Sequence, residues 1–187
     1  RSVTVSGKRY DLPIPFFVLA TQNPIEQEGT YPLPEAQLDR FMFNVFLDYP
    51  SFEEEVQVVK NTTGDKIGKV EKVLEENEIT FFQELIRKIP VADNVLNYAV
   101  GLTAKTRPGA ANKSVMINDY VAWGAGPRAS QFLVIGAKCH AAINGKYSPD
   151  IEDVKAVAVP ILRHRLVRNY KAEADGVSVE KIIDSIL

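Results

Sequence analysis

The sequence predicts an α/β segment followed by an all-helical one, with the change near residue 48. Two observations carry this. First, two short apolar runs, Phe16–Ala20 and Phe41–Leu47, lie near the amino end, and such runs suit strands buried on both faces of a parallel sheet. Second, from Ser51 onward the chain changes to capping residues followed by apolar positions at helical spacing. The predicted units are residues 1–48 and 49–187.

Element by element, the α/β part opens with a hairpin. Val3 and Val5 alternate with polar residues, Ser6-Gly7 is a turn pair, and Lys8 to Tyr10 can return antiparallel. Pro13 and Pro15 stiffen the approach to the Phe16 run. Thr21, Gln22, Asn23 and Pro24 end that run with polar groups and a ring that cannot continue a ladder. Polar residues just past the carboxyl end of a buried parallel strand lie where open α/β sheets bind ligands. Gly29, Pro32 and Pro34 then mark a loop, and Glu35 to Asp39 favours a short helical piece with acidic residues at its positive end. Arg40 closes that piece beside Phe41.

The helical part begins after Tyr49-Pro50. Ser51 with Glu54 forms a capping box, and Val56, Val58 and Val59 give the helix an apolar side. Gly64 to Asn77 reads as a charged connector. Thr80 is expected to cap a helix through Arg87, with Phe81, Phe82, Leu85, Ile86 and Ile89 as its stripe. Asp93 opens the next helix, which Pro108-Gly109 stops. Ala110 to Gly126 is expected to be loop, with apolar pieces at Val115–Ile117 and Val121–Trp123. Pro127 suits a first helical turn, and that helix should run to Ile143 and end at Asn144-Gly145. Asp150 with Asp153 opens the last long helix, with Val154, Val157, Ala158 and Ile161 inward and Pro160 expected to distort it. Ser178 caps a final short helix carrying Ile182, Ile183, Ile186 and Leu187.

The strings ATQNP (from Ala20) and EQEGTYPLPEAQLDRF (from Glu26) resemble the MoxR family of AAA+ ATPases, a chaperone-like bacterial and archaeal group. Thr106-Arg107, the GAGPRA string at Gly124–Ala129 and the LRHR string at Leu162–Arg165 are similar to the same family, whose usual GASPRA is altered here by Gly126. The likeness is closest over residues 16–48, looser over 92–187 and faintest over 51–91. It implies that residues 1–48 are the carboxyl-terminal part of a P-loop AAA+ core and that 49–187 form a helical lid. It also implies that Asn23 is the sensor 1 residue, Arg40 the arginine finger and Arg128 the sensor 2 residue, acting on its own subunit's nucleotide or on a neighbour's. These roles make chemical sense. A carboxamide offers donor and acceptor to a water and a γ-phosphate oxygen. A guanidinium supplied from a neighbouring subunit stabilises the transferred phosphoryl group, an effect worth roughly 10³–10⁵ in rate. ATP and Mg²⁺, assembly into a ring, possible hexamers, and partner proteins with von Willebrand factor A domains all follow from the resemblance alone.

A P-loop of the form GxxxxGK followed by Ser or Thr is not present, and no strand ends in the Asp-Glu pair that would hold Mg²⁺. The expectation is a carboxyl-terminal fragment of a longer ATPase, lacking the Walker A and Walker B segments and inactive by itself. Composition gives 45% hydrophobic and 25% charged residues with a net charge of −2, so no overall pull toward nucleic acid or anionic membrane is expected. Cys139 is the only cysteine, which fits a reducing cytoplasm and a packing role. Arg163, His164, Arg165, Arg168 and Lys171 form the one basic cluster, expected at a subunit-facing or nucleotide-facing surface. His140 and His164 have no further metal-ligand partners at useful spacing. Two other readings stay open at this stage: a non-catalytic interaction module, and a nucleic-acid motor from a related branch.

Overall fold

The computed structural model describes residues 2–22, 33–64, 71–109 and 114–187. It has the mixed character expected, a β-hairpin with many helices, and divides into two compact units. One holds residues 1–18 with 45–82, the other 19–44 with 83–187.

In the first unit, β1 (Ser2–Val5) pairs antiparallel with β2 (Lys8–Asp11), Val5 opposite Lys8. Ser6 and Gly7 both take positive φ in the turn, the geometry that matches hairpin twist. α2 (Phe52–Thr62) starts as expected: Ser51 Oγ accepts from the Glu54 amide while the Glu54 carboxylate accepts from the Ser51 amide. α3 (Glu76–Lys88) begins four residues before the predicted cap. Thr80 instead donates its hydroxyl to the Glu76 carbonyl, and Glu78 accepts from the Glu75 amide one turn earlier. The acidic Glu76 and Glu78 suit the helix's positive end better than Thr80 does. No described residue of this unit is buried.

The second unit contains the core. Its elements are α1 (Glu35–Leu38), the last part of α3, α4 (Asp93–Lys105), α5 (Val115–Tyr120), β3 (Val121–Trp123), α6 (Pro127–Ile143), α7 (Ile151–Leu162), β4 (Val167–Arg168), α8 (Tyr170–Ala174) and α9 (Val179–Asp184). α6 and α7 form a hairpin that packs on α4 and α9 around Leu102, Leu133, Val154, Ile161, Leu162, Ile182 and Ile183, all fully buried. Gly136 permits this closeness, since a Cβ there would lie 3.1 Å from Ile161 Cδ1 and 3.2 Å from Val157 Cγ2. α6, α7 and α9 start where the sequence places them. Asp150 and Asp153 make a reciprocal capping box, and Ser178 Oγ accepts from the Lys181 amide.

Three expectations are corrected. Residues 115–123 are not loop: Ser114 caps α5 through the Ile117 amide, and β3 pairs with β4 across a bulge, Val121 opposite Arg168. The Phe16–Ala20 run forms no strand, and Phe17, Val18 and Leu19 are exposed. The two sheets among the described residues are both antiparallel pairs made elsewhere. The Phe41–Leu47 run likewise forms no strand, and Phe43 and Val45–Leu47 are exposed.

Candidate functional site

The residue that pairs with Arg128 is one that the motif reading passes over, Asp39, the chain neighbour of Arg40. It caps the carboxyl end of α1, where its amide bonds to the Gln37 and Glu35 carbonyls. One carboxylate oxygen of Asp39 pairs with Arg128 Nη1 and the other accepts from Arg165 Nε at 3.0 Å. Arg40, next in the chain, has an exposed side chain with no ion pair among the described residues. The structure therefore puts one predicted arginine on an acidic partner whose immediate neighbour is the other. Asn23 lies outside the described residues.

Arg128 sits in the first turn of α6. Gly126 is its cap position, with φ −82 and ψ 178 and no side-chain hydrogen bond. The loop ahead of it is clamped by the Thr-Arg pair at the end of α4. Thr106 Oγ1 accepts from the Ala125 amide at 2.9 Å, and Arg107 Nε donates to the Ala125 carbonyl at 2.9 Å. Gly124 is obligatory for this approach, because a Cβ would stand 2.3 Å from the Thr106 carbonyl oxygen. Gly126 is not, as a Cβ there meets nothing within 4 Å. Arg128 keeps 43% of its side-chain surface exposed and Asp39 keeps 30%, so an anion can still reach the pair. The helix dipole at the α6 amino end favours negative charge at this place, although Pro127 has no amide hydrogen and the Ala129 amide is bonded to the Gly126 carbonyl.

Arg165 is of another kind. Its side chain is 1% exposed, stacked with its guanidinium carbon 5.1 Å from the centroid of the Phe132 ring. Burial pulls its pKa down, and the Asp39 carboxylate opposes that. His164 beside it is held neutral. Burial and the Arg165 charge push its pKa down to about 4, against an opposing hydrogen bond to Phe41. Its Nε2 must donate to the Phe41 carbonyl at 3.1 Å, while Nδ1 is buried without a partner among the described residues. Glu35, Asp39, Trp123, Gly124, Gly126, His164, Arg165 and Val167 enclose a cavity of about 160 Å³ here.

The predicted basic cluster is thereby dissolved as a surface. Arg163 pairs with Glu180, Arg165 is inside, Arg168 donates to the Val177 carbonyl, and Lys171 pairs with Asp119. Arg163 and Arg165 are largely buried, whereas the Lys171–Asp119 pair lies on the surface. The burial of Arg165 had a signal in the sequence: it follows Ile161 and Leu162 at helical spacing and precedes Leu166, all of them buried. Among the described residues no group of three His, Cys, Asp or Glu side chains is placed to hold a metal. No helix among them is long and apolar enough to cross a membrane.

Comparison with known proteins bears on the family of the chain. Residues 1–43 match the ATPase family associated with various cellular activities (AAA), and residues 114–186 match the AAA lid domain. Across its whole length the chain is 37% identical to chaperone MoxR1 of Mycobacterium tuberculosis, covering 49% of that protein. It is 36% identical to the YeaC protein of Bacillus subtilis, again over its whole length and 56% of the relative. Protein MoxR of Methylorubrum extorquens is 28% identical over 89% of the chain and 51% of the relative. A crystal structure from Cytophaga hutchinsonii, described as that of a candidate ATPase, superposes with a TM-score of 0.91 at 39% identity over 99% of the chain and 56% of the other. The chain thus spans about half the length of the relatives it matches. Motifs, fold and relatives converge: this chain belongs to the MoxR family of AAA+ ATPases.

Proposed function

We propose that this chain is the lid-bearing part of an ATPase that hydrolyses ATP at subunit boundaries of a ring, a hexamer in our reading, and uses the cycle to remodel or mature partner proteins. Within it, residues 1–48 complete the nucleotide-binding core and 49–187 act as the lid. Arg40 and Arg128 are offered together to the triphosphate of a neighbouring subunit. Asn23 orients the attacking water in the chain's own core. The chain alone, without a P-loop, does not turn over ATP.

The observation that supports this most is Asp39, whose carboxylate ties Arg128 to the turn ending in Arg40. Arg128 is thereby held to the turn that carries Arg40, which supports a shared role for the two residues at one anion. Their remaining exposure fits a phosphate, and nothing about them fits a metal. Mg²⁺ enters with the triphosphate in this reading, and no residue of this chain is assigned to it. A client with a von Willebrand factor A domain and a cytoplasmic setting are part of the proposal. The burial of Arg165 and near-burial of Arg163 weigh against a nucleic-acid motor, since phosphate contacts need cations at the surface.

The test is ATP turnover of the full-length ring carrying Arg40→Ala or Arg128→Ala. Loss of kcat by roughly 10³-fold for Arg40→Ala is expected from an arginine finger. Undiminished kcat in an intact ring would remove the assignment.

A further inference from the structure

Arg165 donates five hydrogen bonds, and their distribution is uneven. Nε reaches the Asp39 carboxylate at 3.0 Å, Nη2 reaches the Asp39 carbonyl at 2.9 Å and the Phe41 carbonyl, and Nη1 reaches the Met42 carbonyl at 3.4 Å and the Ile161 carbonyl. A guanidinium has five N–H groups, so every donor is used. One acceptor belongs to α7, and the other four belong to residues 39–42. The His164 imidazole adds a bond to the Phe41 carbonyl, and the Asn44 amide donates to the Pro160 carbonyl at 2.9 Å. The short segment containing Arg40 is thus stitched to the end of α7 on both sides of the residue that would do the chemistry.

We infer that Arg165 is a positioning residue for the arginine finger. It fixes the peptide groups flanking Arg40 and the Asp39 carboxylate that holds Arg128. The inference rests on the reading of Arg40 as the finger. Four of the five Arg165 bonds go to half-buried residues on either side of the exposed Arg40. Lysine cannot substitute: its three donors radiate from one point and lack the planar fork that spans four acceptors. A finger released by about 1 Å can lose on the order of 10²-fold in rate.

The experiment is a double-mutant cycle in the full-length ring, reading kcat, KM for ATP, melting temperature and ring mass. Arg165→Lys is expected to lower kcat on the order of 10²-fold with Arg40 present. In an Arg40→Ala background the same change should lower kcat by less than about twofold, because the group it positions is gone. Asp39→Asn, nearly isosteric, provides a second cycle should Arg165→Lys fail to assemble. Equal losses in both backgrounds, or an unchanged kcat with Arg40 present, overturn the inference. An unchanged kcat for Arg40→Ala alone overturns the finger reading itself, and this inference with it.

Discussion

Lowering the pH should loosen the segment around Arg40 through His164. The neutral ring donates from Nε2 to the Phe41 carbonyl, and its buried Nδ1 has no hydrogen-bond partner among the described residues. Protonation would set a second buried cation beside Arg165 and leave a new N–H unpaired. Burial first, and the Arg165 charge second, therefore take the pKa from 6.5 down to about 4. The unfolded chain takes up this proton near pH 6.5, whereas the fold resists until about pH 4. The stabilisation is thus complete above pH 6.5 and is lost as pH falls through that window, by about 3 kcal/mol in all. Urea unfolding of the wild-type chain and of His164→Gln from pH 7.5 to 4 measures it. Glutamine can still donate to the Phe41 carbonyl but does not titrate, so its curve should be flatter by that amount. His140 is common to both proteins, so the difference between the curves belongs to His164. Parallel curves over this range would refute the reasoning.

Other perturbations read the frame that presents the two arginines. Asp153 is fully buried and accepts from the Asp150 amide, His140 and Lys146. Burial raises its pKa, but these three partners outweigh it and hold the value at about 2. Asp153→Asn should cost about 3 kcal/mol at pH 7 by denaturant unfolding. The deficit should shrink as pH falls from about 4 toward 2, where the wild-type carboxylate loses its advantage. Gly124→Ala should destabilise by about 1–3 kcal/mol, toward the upper end because the clash is with Thr106 backbone; an unshifted melting curve would contradict the clamp at the α6 entry. Gly126→Ser, by contrast, has room and extended backbone, so it should raise stability by a few tenths of a kcal/mol through capping.

What could be seen in the sequence was local. Ser51/Glu54, Asp150/Asp153, Ser178 and the Pro127 start all declare themselves within four residues, because a cap is made by side chains reaching their own first turn. The β3–β4 pair was hidden, since Val121 finds Arg168 only once the intervening helices have folded. α3 was placed late because Thr80 looks like a cap while the acidic turn before it looks like linker. Of the candidate site, the motifs pointed to Arg40 and Arg128, but not to Asp39 joining them. Nor did they give Arg165, which reads as one more surface cation until its place on the buried stripe of Ile161 and Leu162 is noticed.

The most direct measurement mixes two full-length proteins, one with Arg128→Ala and one whose P-loop cannot hold ATP. Each alone should form rings with little turnover. If Arg128 and Arg40 serve a neighbour's nucleotide, mixed rings regain ATP hydrolysis, because an intact pocket then faces intact arginines; Arg40→Ala in place of Arg128→Ala should do the same. Mixed rings that stay as inactive as their parents would contradict the account.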